Sequence, residues 1–176
     1  ALSVARIVVS EMGMGMSSLI AAILHDCAGK MDLSDKEIKE SFGDNVLKVL
    51  EGLSNIENIE TNRSTYQAEN FLRLILSLAD DIRVILIRLV ERLEYMRLLA
   101  GAKKDIRLRI ASESYFLYAP LAHRLGLYNL KSEMEDRAMM YLDPGAYESV
   151  AQKLKQTTSS RNRLIRDFSK PLKEQL

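Results

Sequence analysis

The chain has 176 residues and a mass of 20.0 kDa, and its 47% hydrophobic and 28% charged residues exclude an intrinsically disordered protein and fit one ordinary domain. Eight Gly and three Pro are too few for an all-β architecture, and a single Cys, Cys27, excludes a disulfide scaffold or a Cys-rich zinc site and fits a reducing, cytosolic compartment. The net charge of +1 conceals an asymmetry: residues 151–176 hold seven basic and two acidic groups, a net of +5, which leaves −4 on residues 1–150.

Helical periodicity runs through the chain. Leu2, Val4, Ala5, Ile7, Val8 and Met12 predict a helix that stops at Gly13. Leu19, Ile20, Ala22, Ile23 and Leu24 predict a second, ending near Gly29. Ser34 and Glu37 have the spacing of a capping box, and the short helix they open should end at Phe42-Gly43. Val46, Leu47, Val49, Leu50 and Leu53 predict a fourth helix. Residues 55–65 are polar and without period, and read as a long mobile loop. Phe71, Leu74, Ile75 and Leu78 mark one helical face, with a break at Ala79-Asp80-Asp81.

Ile82, Ile85, Leu86, Leu89, Leu93 and Met96 then recur at helical spacing. Val84-Ile85-Leu86-Ile87 alone would suit a strand, but the continued period to Leu99 predicts a buried central helix. Gly101 to Asp105 reads as a loop. Ile106 to Leu125 reads as a helix in which Pro120 either makes a kink or starts a new helix. Asn129 to Tyr141 is amphipathic, Pro144-Gly145 is a turn, and a last helix begins near Ala146. The sum is an all-α domain of about eight to ten helices.

No apolar run approaches the roughly 18 residues of a membrane span. The basic C-terminal segment can attract phosphate or RNA, but a solvated helix explains it as well. Phe168 is the one aromatic residue among those charges, which argues against a stacking platform for single strands.

His is scarce, with only His25 and His123. His25 is followed by Asp26 at the end of an apolar helix, and imidazole with carboxylate suits Mn, Zn or Fe. By itself such a dipeptide is more often a packed core His.

The dipeptide lies within a longer series. Leu2-Ser-Val-Ala-Arg6, Ala22-Ile-Leu-His-Asp26 and Gln67-Ala-Glu-Asn-Phe71 come first. Asp81-Ile-Arg-Val-Ile-Leu-Ile-Arg88, Glu91-Arg-Leu-Glu-Tyr-Met-Arg97 and Tyr118-Ala-Pro-Leu-Ala-His-Arg-Leu-Gly126 follow. Asn129-Leu-Lys-Ser-Glu-Met-Glu-Asp136 and Tyr141-Leu-Asp-Pro144 close it. From residue 1 to about 155 the chain resembles the N-terminal hydrolase domain of RelA/SpoT proteins, which make and degrade the alarmone (p)ppGpp. The resemblance implies an HD-domain helical bundle over residues 1–143, its first helices lying ahead of Ala1. It implies a helical linker over 144–176, leading toward a synthetase domain of the same protein.

The resemblance also implies an activity and a site. The family hydrolase removes the 3′-pyrophosphate of ppGpp with one Mn ion held by two His and two Asp. His25 and Asp26 match the central pair, and the first His would fall immediately before Ala1. The last ligand position holds Glu91, one methylene longer than Asp. The family's two water-activating carboxylates correspond to Gly29 and Lys30, which supply neither. A proton-accepting carboxylate is worth about 10²–10⁴-fold in rate, and a lysine near a divalent ion repels it.

Glu91, Tyr95 and Leu98 share one stripe at i, i+4 and i+7. The family has a ligand, Asn and Thr there, so the nucleotide-facing wall is closed or repurposed. Arg6, one turn after the missing His, either faces a phosphate or lies on the surface. His123 falls in what the family uses as a packing segment.

The reading is therefore a RelA/SpoT-type HD domain of the stringent response with a degenerate hydrolase centre, Mn absent or weak, regulating a cytoplasmic GTP pyrophosphokinase. Further partners implied are a guanosine nucleotide and, through the full-length protein, the ribosome. The alternatives are an active Mn-dependent hydrolase, with Glu91 ligating and Lys30 on the leaving pyrophosphate, and a domain that senses a nucleotide without cleaving it.

Overall fold

The computed structural model describes residues 1–31, 33–61 and 81–174, with the side chains of 26–31, 59–61 and most of 158–174 left out. The segments Gln67–Phe71 and Phe71–Leu78 lie outside the described residues. Within the described residues the elements are α1 (Leu2–Ser10), α2 (Met16–Met31), α3 (Asp35–Phe42), α4 (Asp44–Thr61) and α5 (Ile82–Leu98). A 3₁₀ turn (Leu99–Gly101), α6 (Lys104–Glu113), a π turn (Ser114–Tyr118), α7 (Ala119–Arg124), α8 (Tyr128–Leu142) and α9 (Pro144–Glu174) follow. The described residues contain no strand, so the all-α architecture is as the periodicity predicts.

The local signals work through identifiable bonds. The Ser34 hydroxyl accepts from the Glu37 amide at 3.4 Å, while the Glu37 carboxylate accepts from the Ser34 amide at 2.9 Å. Gly43 ends α3 at φ 87°, a conformation that glycine adopts without Cβ strain. The Asp81 carboxylate caps α5 by accepting from the Arg83 amide at 3.0 Å. Pro120 lies in the first turn of α7, where its missing N–H leaves no bond unmade; the π turn separates that helix from α6. The last helix starts at Pro144, two residues before the expected point, and the Asp143 carboxylate accepts from the Ala146 amide at 2.9 Å.

Not every expectation holds: α6 takes in Lys104 and Asp105, which read as loop. Residues 55–61 belong to helix α4 instead of a loop, and 62–65 lie outside the described residues. Ile56 is 2% exposed and extends the buried stripe of Val46, Val49 and Leu53 by another turn. The polar residues around it are the solvent face of the same helix.

Helix α5 is the centre of the bundle. Val84, Ile85, Ile87, Leu89, Val90, Leu93 and Met96 are buried, and α5 packs on α1, α4 and α8. Ile82, which the spacing places on the buried stripe, is exposed at the helix start. Burying a side chain such as Leu89 or Ile87 is worth about 1.5–3 kcal/mol. Such a core fixes which residues of α5 face outward, and these form one wall of the cleft described next.

Candidate functional site

Arg88, Glu91, Arg92, Tyr95 and Leu98 recur at intervals of three and four residues, so they form one stripe along α5. Together with Glu94 they line a cleft of about 420 Å³, completed by Ala1, Ser3 and Val4, by His25 of α2, Glu57 of α4 and Ile110 of α6. His25 and Glu57 also line a second cavity of about 530 Å³ bordered by α3 and α4.

His25 and Glu91, 66 positions apart, meet on the cleft floor. His25 Nδ1 lies 2.9 Å from Glu91 Oε1. An ionised carboxylate can only accept, so Nδ1 carries the proton and donates. The second oxygen, Oε2, accepts from Arg88 Nη1 at 2.9 Å. His25 Nε2 lies 3.7 Å from Glu57 Oε2. Burial opposes protonation of His25, but the hydrogen bond and charge of Glu91, with help from Glu57, outweigh it and raise its pKa above 6.5.

The flanking arginines have other tasks. Arg92 donates to Glu113 at 3.1 Å, and its guanidinium lies 4.1 Å from the centre of the Tyr118 ring. Arg97 donates to Glu94 at 2.6 Å and holds both oxygens of Glu133, at 2.8 and 2.7 Å.

The residues expected at the site are placed differently. His25 and Glu91 are brought together. Tyr95 and Leu98 line the cleft but are 52% and 75% exposed, so they leave its mouth open instead of filling it. Arg6 is exposed on α1 and is not among the residues lining the cleft. The side chains of Asp26 and Lys30, and the surroundings of Gly29, lie outside what is described. His123 is exposed and stands edge-to-face on Tyr128, with ring centres 5.5 Å apart.

Sequence reasoning missed Glu57 and Arg88. Glu57 was hidden by the misread loop. Arg88 carried one signal, its i, i+3 spacing to Glu91 on a helix.

The described donors do not fit a manganese ion. The two nitrogens of one imidazole point away from each other, Nδ1 to Glu91 and Nε2 to Glu57. An ion on either side would therefore gain one nitrogen and one carboxylate group. Arg88 holds the second Glu91 oxygen, which blocks bidentate ligation. Metal sites of this kind draw on three or more protein ligands, and no group of three His, Cys, Asp or Glu is so placed among the described residues.

The all-helical bundle with His25 on the floor of its cleft is in keeping with the comparisons. The family model described as "HD domain" matches residues 1–128. A guanosine-3′,5′-bis(diphosphate) 3′-pyrophosphohydrolase of Aquifex aeolicus (strain VF5) is 41% identical over 162 residues, covering 92% of this chain and 23% of the relative. The bifunctional (p)ppGpp synthase/hydrolase SpoT of Escherichia coli (strain K12) is 35% identical over 159 residues, covering 90% and 23%. The GTP pyrophosphokinase rsh of Brucella ovis (strain ATCC 25840 / 63/290 / NCTC 10512) is 33% identical over 168 residues, covering 95% and 22%. The chain belongs to the HD-domain family. It spans about a quarter of the length of these relatives. Among the described residues no helix is long and apolar enough to cross a membrane.

Proposed function

We propose that this HD domain does not hydrolyse (p)ppGpp and instead acts as a regulatory module of a longer RelA/SpoT protein. Residues 1–143 form the module, and the helix from 144 onward couples it to a domain that transfers pyrophosphate from ATP to the 3′-hydroxyl of GDP or GTP. The observation that carries this reading is the state of Glu91. Its two oxygens are taken by His25 and Arg88, so the position that would ligate a catalytic ion is spent on an internal ion cluster. Gly29 and Lys30 at the positions expected to activate water support the same conclusion.

A second reading, nucleotide sensing without cleavage, draws on the open cleft of about 420 Å³ with Tyr95 at its mouth. Calorimetry separates the readings. Titration of the chain with MnCl₂ and, separately, with ppGpp should give no heat of specific binding for either. Binding of ppGpp without manganese would favour the sensor. Binding of manganese followed by turnover would favour the hydrolase, the activity for which two of these relatives are named.

A further inference from the structure

An amphipathic helix keeps its polar face in water, and its apolar face gains only when something covers it. Helix α9 has 31 residues and is therefore about 46 Å long. It packs on α8. Even so, Val150, Leu154 and Ile165 are 55%, 48% and 56% exposed. Val150 and Leu154 are one turn apart, and Ile165 follows Leu154 by about three turns, so the three share one stripe. In the sequence the same spacing continues: Phe168 and Leu172 each come about five turns after Val150 and Leu154.

The charges are arranged around that stripe. Lys153 and Lys155, both exposed, stand immediately before and after Leu154, so they lie about 100° to either side of it. Arg163 is exposed as well. Residues 151–176 carry the net +5 noted above. A solvated helix accounts for the charge but not for the apolar stripe between its lysines. RNA would engage the charges and leave the stripe in water. A second copy pairing stripe to stripe would set two such positive segments side by side, which repel. A flat anionic surface with an apolar layer beneath meets both features at once: the stripe enters the layer, and lysine stems on both borders reach the headgroups.

We infer that α9 is a docking element for an anionic lipid surface, lying in its plane with Val150, Leu154 and Ile165 turned into the headgroup–acyl boundary. The helix is already formed, so binding does not have to order it. Such a helix lies on a bilayer and does not span it, in keeping with the absence of a spanning helix among the described residues. The inference goes beyond the regulatory reading and does not depend on what the cleft does.

The test uses the whole 176-residue chain with vesicles of phosphatidylcholine alone and of phosphatidylcholine mixed in equal parts with phosphatidylglycerol. The chain has no Trp, so Leu154→Trp carries a single fluorescent reporter. Its emission should move to the blue on the mixed vesicles and stay unchanged on phosphatidylcholine alone. In co-sedimentation, Lys153→Gln/Lys155→Gln should bind the mixed vesicles about tenfold more weakly or worse. Val150→Ser/Leu154→Ser should lose a similar factor. The reporter needs no loss of binding, so it decides the matter even where a double variant misfolds. Absence of both the blue shift and sedimentation on mixed vesicles would overturn the inference, and so would equal binding to the two vesicle types. A serine variant that binds as well as the parent would overturn it in favour of a site for polyanions such as RNA. A blue-shifted reporter in a dimer before any lipid is added would overturn it in favour of a second copy.

Discussion

Gly52 of α4 faces Val84 of α5 so closely that a Cβ at position 52 would lie 2.6 Å from Val84 Cγ2. Val84 is 1% exposed and β-branched, with little room to turn aside. The two helices that carry Glu57 and Glu91 are thus held together at a point where only hydrogen fits.

Replacing Gly52 by Ala should therefore destabilise the chain although Ala is the better helix former. Overpacking costs about 1–3 kcal/mol and helix propensity returns about 1 kcal/mol, for a net loss of up to about 2 kcal/mol. In a Val84→Ala background the same change should be neutral or stabilising. Urea melts of the four proteins in this cycle check it, with a coupling of about 1 kcal/mol or more expected.

Ser34→Ala should lower stability by about 1 kcal/mol by removing the acceptor for the Glu37 amide at the start of α3. Ser34→Asp keeps an acceptor and should retain most of the stability. Thermal melts of the two variants give the comparison.

The Arg97–Glu133 pair should make an acid-sensitive contribution. Hydrogen bonds from Arg97, and more weakly Arg137, hold the Glu133 carboxyl at about 2 against an ordinary 4.5, despite opposition from burial. A depressed carboxyl stabilises the fold above its unfolded value and loses that effect as the pH falls toward its folded value. The contribution should be complete above about pH 5 and fade between about pH 4.5 and 2. Glu133 is about one-third exposed, so screening reduces the effect to about 1–2 kcal/mol. Glu133→Gln should lower stability at pH 7 and flatten this limb of the pH–stability curve.

Much of the scaffold was legible because it follows local rules. The Ser34–Glu37 box declares a boundary through bonds made within a few residues, the expected break takes in Asp81, which caps α5, and Pro120, read as a kink or a new start, stands in a first helical turn where no N–H is needed. Residues 55–61 misled because a helix with one buried residue per turn, here Ile56, looks polar along the chain. The site was legible in its residue types at His25 and Glu91. Their mutual hydrogen bond and the roles of Glu57 and Arg88 were not, because they depend on the packing of α2, α4 and α5. The exposure of Tyr95 and Leu98 was equally out of reach, since a helical stripe fixes a direction but not what stands opposite.

The most direct measurement is release of pyrophosphate from ppGpp by the purified chain in saturating manganese. The account predicts no release above the uncatalysed background. Turnover at roughly 1 s⁻¹ or more, within the ordinary range of enzymes, would contradict it.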